Sequence, residues 1–129
     1  MDEFGRRGDL FLADCPARLA VEVIADKWTV VTLYALSRGS RRHGEIVEMI
    51  GGISKKVLTQ TLRRLERHGL VERTAFAVVP RRVEYALTDL GRSLMEPIAA
   101  LTRWAEEYGA AVVDALEDAT SLDIEWTAA

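Results

Sequence analysis

Lys56, Gln60, Arg63 and Arg67 recur at i, i+4, i+7 and i+11, the spacing that aligns side chains along one face of an α-helix. Their chemistry suits the grooves of a nucleic acid. A Gln amide can bond adenine in bidentate fashion, Lys or Arg can bond guanine, and a Thr such as Thr59 can touch a thymine methyl. Leu58, Leu62 and Leu65 fall on the opposite side at about 100° per residue. One helix would therefore carry a buried stripe and a polar face turned to DNA. The N-terminal part of such a helix goes deepest, which assigns Lys56, Thr59 and Gln60 to base readout, with Arg63 beside them and Arg64 on the flank.

The surrounding charge points the same way. From Arg38 to Arg82 there are eleven Lys or Arg against four acids, a net +7, in a chain whose total is −3. The remaining residues carry −10, and eight of those net negatives lie after Arg82. Solubility alone favours mixed signs, whereas a segregated basic stripe is the electrostatic footprint of nucleic-acid binding. Lys55 and Lys56 stand in the first helical turn, where each cation costs about 0.3–1 kcal/mol against the dipole. A nearby phosphate reverses the sign of that effect. Charge runs on helices are ordinarily solvated faces; here charge, position and element order coincide.

Arg41, Arg42 and Lys55 are assigned to phosphates, and Ser54 completes the DNA-facing set. Arg81 and Arg82, beside Pro80, have two readings. They can reach phosphate or a minor groove, or they can protect a hairpin from edge pairing.

The elements that must position these groups follow from capping and periodicity. Residues 1–14 lack periodicity and read as an arm. Pro16 opens a helix with Ala17, Ala20, Val21, Ile24 and Trp28 at helical spacing. A second helix, Trp28–Leu36, is apolar nearly all round and belongs at the centre. A short helix over Gly44–Ile50 stops at Gly51-Gly52. Ser54 caps the helix that ends at Gly69. Strands are expected over Leu70–Phe76 and Arg82–Leu87, with Pro80 at the tip. Thr88 then caps a long helical region to about Tyr108, interrupted by Pro97, and Ala110–Ala119 extends it. The fold class is mainly α with a small β-hairpin wing: a winged helix-turn-helix with additional N- and C-terminal dimerisation helices. The domain would span 15–108, with 109–129 as an acidic C-terminal extension.

With 129 residues and 49% apolar content, one globular domain is expected. No run approaches the ~20 apolar residues of a membrane span, and the acidic start does not resemble a secretory signal. The expected location is the cytoplasm, with no membrane partner. Cys15, the one cysteine, excludes an internal disulfide and a cysteine-based zinc site. No catalytic motif, cofactor motif or metal-ligand cluster is present. His68, before Gly69, suits a helix C-terminus. An enzyme is thus disfavoured. The serious rival is a winged-helix protein-interaction module, which would need apolar anchors on the outer face of residues 54–67.

Cys15-Pro16, Asp26-Lys27-Trp28-Thr29, Gly52 to Thr59, Leu65 to Arg73, Arg82-Val83-Glu84-Tyr85 and Leu87 to Gly91 together resemble the HxlR-type transcriptional regulators. The resemblance runs from about Cys15 to Trp104. It implies a homodimer on double-stranded DNA at a palindromic operator, with terminal helices in the dimer contact. Repression is the default, since nothing resembles a polymerase-contacting domain. Three departures stand out: His43 where an aromatic residue is common, Ala77 and Arg81 where Pro is frequent, and a longer acidic stretch beyond Trp104.

The resemblance also implies a sensor. In some HxlR-type members the cysteine before the first-helix proline reacts with electrophiles or oxidants, and Cys15 matches that position. A helix N-terminus favours thiolate, while Asp14 opposes it and a small buried cysteine is a common core filler. A small-molecule effector is the other route, in a pocket that Trp28, Tyr34, Met95 and Trp104 would line.

Overall fold

The computed structural model describes residues 15–128, with side chains to residue 119. The 1–14 arm lies outside the described residues. Six helices and one hairpin follow in order: α1 (Pro16–Ile24), α2 (Thr29–Ala35), α3 (His43–Met49), α4 (Lys55–Arg67), β1 (Val71–Phe76), β2 (Arg82–Leu87), α5 (Asp89–Arg92) and α6 (Met95–Ala128). The architecture is the winged helix-turn-helix that the element order implied. Two compact units divide the chain, one up to Met95 and one from Glu96.

The core of the first unit is built from apolar stripes. Leu33 and Leu36 of the α2 region, Ile46 of α3, and Leu58, Leu62 and Leu65 of α4 are buried almost completely. Val71 and Leu87 face each other across the hairpin and close that core. The strands pair antiparallel from Val71↔Leu87 to Phe76↔Arg82. Arg41 adds a third backbone segment at the hairpin: it exchanges both hydrogen bonds with Tyr85, at 2.9 and 2.8 Å. The wing is thereby tied to the residue just ahead of α3.

Local chemistry terminates the elements as their sequences suggest. Pro16 opens α1. Gly69 takes a φ of +76°, and the amides of Gly69 and Leu70 return to the carbonyls of Glu66 and Leu65 at 3.0 Å each. That is a Schellman stop, which needs a left-handed residue at this point.

Four expectations need correction. α1 ends at Ile24 rather than near Trp28, because the Asp26 carboxylate accepts the Trp28 N–H at 3.1 Å and draws the backbone out of the helix. α2 is not buried all round, since Val31 and Tyr34 are 40% and 50% exposed. Thr88 caps only the four-residue α5, through its hydroxyl and the Gly91 N–H. Pro97 interrupts nothing. It lies in the first turn of α6, where an amide hydrogen would have no intrahelical partner.

α6 then continues for 34 residues, across position 108 and through the acidic stretch. It carries exposed Leu101, Trp104, Tyr108 and Val112, with the Trp104 and Tyr108 rings 5.8 Å apart. No described helix is long and apolar enough to cross a membrane.

Gly91 marks the tightest backbone approach. A Cβ there would lie 2.1 Å from the Leu70 carbonyl oxygen and 3.3 Å from Leu87 Cδ2. Gly91→Ala should therefore force α5 away from the start of the wing. The expected loss is about 1–3 kcal/mol in urea unfolding, as for other overpacked sites.

Candidate nucleic-acid interface

The helix-turn-helix consists of α3, a turn over Ile50–Ile53 and α4. Gly52 supplies a positive φ of +84° in the turn, and buried Ile53 anchors its end. Ser54 begins α4 by accepting the Val57 N–H at 3.1 Å, which satisfies one of the open amides of the first turn. At the start of α3, the Glu45 carboxylate accepts the Arg42 N–H at 2.8 Å. Both helices are thus fixed at their N-terminal ends.

The rotation of α4 follows from burial. Leu58, Thr61, Leu62 and Leu65 are buried, while Lys55, Lys56, Gln60, Arg63 and Arg67 are exposed. Thr59 is half-buried and polar on both sides. Its hydroxyl donates to the Lys55 carbonyl at 2.9 Å and lies 2.9 Å from His43 Nε2. That same ring nitrogen is 3.2 Å from the Lys55 carbonyl. A carbonyl can only accept, and the Thr59 proton is already engaged, so His43 must carry its proton on Nε2 and donate. His43 therefore clips the start of α3 to the first turn of α4. The polar face of α4 gains a fixed Thr59 that the helical spacing alone did not reveal.

Arg64, expected on the flank of the polar face, turns inward. Its Nη2 donates to Asp26 Oδ2 at 2.8 Å and to Thr29 Oγ1 at 3.0 Å. The guanidinium reaches back to the α1–α2 junction instead of outward. Asp26 accepts from three sides, since Thr29 Oγ1 also donates to it at 3.4 Å. The Trp28 amide, and after it the Arg64 guanidinium, hold the Asp26 carboxyl below the ordinary carboxylate range against an opposing desolvation effect. Neither Asp26 nor His43 was assigned a role from sequence. Asp26 stands in the Asp-Lys-Trp-Thr stretch, which was a signal for it; no signal linked His43 to a threonine 16 residues later.

The other assigned residues divide similarly. Arg42 and Arg81 are exposed, while Arg41 is half-buried and lines a recess beside α2. Arg82 is partly occupied within the wing: it lies 4.4 Å from the Phe76 ring centroid and pairs with Glu84 at 3.1 Å. Cys15 is buried, with 4% of its surface exposed. Trp28 and Tyr34 share the recess with Arg41. Met95 begins α6, and Trp104 stacks near Tyr108 on that helix.

Residues 23–112 match the HxlR-like helix-turn-helix family. The chain belongs to that family. An HTH-type transcriptional regulator of Escherichia coli K12, YtfH, is 42% identical over 101 residues, covering 78% of this chain and 80% of the relative. The solved ytfH regulator from Salmonella typhimurium is 37% identical with a TM-score of 0.74, covering 86% of this chain and 99% of that one. The redox regulator HypR in its reduced form is 31% identical with a TM-score of 0.70, covering 77% and 98%. The HxlR-like chain is thus a helix-turn-helix member of a transcriptional-regulator family.

The Asp26 contact carries a pH signature. A depressed folded-state pKa contributes stability above the unfolded value, and that contribution is lost as pH falls through the folded one. Wild type should lose stability in urea titrations below about pH 4, and Asp26→Asn should lose less over the same window. At pH 7 the substitution should cost about 1 kcal/mol, because over a third of the carboxylate side chain remains in water.

Proposed function

We propose that the protein is a sequence-specific DNA-binding repressor that acts as a homodimer on a palindromic operator. The observation that carries this reading is the division of α4 into a buried leucine stripe and an exposed face of Lys56, Gln60, Arg63 and Arg67. A protein-docking helix would present apolar anchors there, and this face has none. Lys56 and Gln60 would read base edges, with Thr59 held by His43 beside them. Arg42 and Lys55 would take phosphates, and Arg81 would extend the contact at the wing.

Dimerisation is supported by apolar surface that each unit leaves exposed. α1 exposes Leu19 and Val21 at about half their surface, on different sides of the helix, and α6 exposes an i, i+3, i+7, i+11 stripe from Leu101 to Val112 on one face. Runs of exposed apolar side chains at helical spacing are typical of association surfaces. A two-fold dimer reads two half-sites and so matches a palindrome.

Titration of a duplex from the gene's own upstream region should show steep salt dependence, with log K falling by about 0.9 per log unit of salt for each phosphate neutralised. Gln60→Ala should lose about 1–3 kcal/mol of discrimination against a changed half-site. Salt-insensitive binding, or none to any duplex, would remove the DNA reading.

A second reading concerns oxidants, and the likeness to the redox regulator HypR supports it. Cys15 would be the responding thiol, exposed from its buried position before it reacts. Diamide should then lower duplex affinity for wild type and leave Cys15→Ser unchanged. Equal responses of the two proteins would remove this role.

A further inference from the structure

A recess of about 580 Å³ opens between α2, the α2–α3 linker and the end of α3. That volume falls within the range of small-molecule sites, roughly 300–1,000 Å³. Trp28 and Tyr34 contribute two aromatic rings to its walls. Lys27, Arg38 and Arg41 contribute three cations, and no Asp or Glu lines it. Lys27 Nζ lies 5.0 Å from the Trp28 ring centroid, so positive charge already stands over aromatic surface.

The exposed surface of α2 and the unopposed cations show an unmet demand. Tyr34 and Val31 keep 50% and 40% of their surface exposed, although α2 is otherwise a core helix. Three cations without a facing carboxylate leave the recess positively charged. An anion neutralises that charge, and an aromatic ring covers the apolar walls.

We propose that this recess binds a small aromatic carboxylate, its ring against Trp28 and Tyr34 and its charge toward Arg38 and Arg41. Free phosphate would use the cations and leave the rings uncovered. A neutral arene would do the reverse. The far wall indicates the consequence of binding. Met49, Ile50 and Gly51 end α3 and begin the turn into α4. A ligand there acts on the joint that sets the two helices of the helix-turn-helix. It also engages Arg41, whose backbone holds the wing through Tyr85. The effector role rests on the DNA reading above; the binding itself does not.

Calorimetric titration of the whole protein with benzoate, without DNA, tests the site. Benzoate should bind with a submillimolar to millimolar Kd, and benzamide and cyclohexanecarboxylate should each bind about tenfold more weakly, a factor worth 1.4 kcal/mol. Arg38→Ala and Tyr34→Ala, both at exposed positions, should each weaken benzoate by a similar factor while leaving the urea midpoint in place. Lys27→Ala provides a third variant if either of these is poorly folded. No heat of binding up to about 10 mM benzoate, or an affinity indifferent to all three substitutions, overturns the proposal. In a separate arm, benzoate should change duplex affinity by the same factor by which duplex changes benzoate affinity. Benzoate binding with unchanged duplex affinity would overturn the effector role alone. Absence of any duplex binding would instead count against the DNA reading.

Discussion

The rotation of α4 about its own axis is the constraint on which the remaining structure depends. Each residue along a helix turns the side chain by about 100°, so a small rotation exchanges an exposed side chain for a core one. Leu58, Leu62 and Leu65 resist that rotation because each is 0–1% exposed, and turning them outward would return their apolar surface to water. Hydrophobic burial is non-directional, however, and a leucine stripe alone leaves some freedom of slide and twist. The Arg64–Asp26–Thr29 contact supplies direction. It fastens the flank of α4 to the α1–α2 junction through hydrogen bonds of 2.8 and 3.0 Å.

A second polar clip works at the other end of α4. His43 reaches Thr59 and the Lys55 carbonyl, so the start of α3 and the first turn of α4 are joined by side chain as well as by the glycine turn. The two clips lie on different sides of the leucine stripe, one at Arg64 and one at Thr59. Between them stands the exposed row of Lys56, Gln60 and Arg63. Rigid support of this kind matters for readout, because bidentate pairing with a base edge tolerates little displacement. The wing is tied in by a third device, the paired backbone hydrogen bonds of Arg41 and Tyr85.

Much of this was legible in the sequence, for identifiable reasons. The leucine spacing set the buried face of α4, Ser54 and Gly69 marked its ends, and alternation in Arg82–Leu87 marked the second strand with the observed limits. Each of these signals is local and depends on backbone chemistry that operates within a few residues. The misread elements depended on something further away. Pro97 looked like an interruption because proline breaks a helix interior, whereas the break falls at Ser93-Leu94 and leaves Pro97 in the first turn of α6. Val31 and Tyr34 looked like core because composition cannot show that one side of α2 borders a recess.

Arg64 illustrates the boundary most clearly. Its position on the flank of α4, at the edge of the polar face, is compatible with either a phosphate or an internal partner, and its charge is the same in both cases. The sequence by itself determined the helix order, the caps, the buried stripe and the basic character of the helix-turn-helix, because these follow from periodicity and from residues within one or two turns of each other. Only the tertiary structure decided that Arg64 turns inward to Asp26, 38 residues away, and that Arg41 lines a cavity while Arg42 faces solvent. A guanidinium on a long side chain goes to whichever anion the fold brings within reach, and that distance is set by how the helices pack.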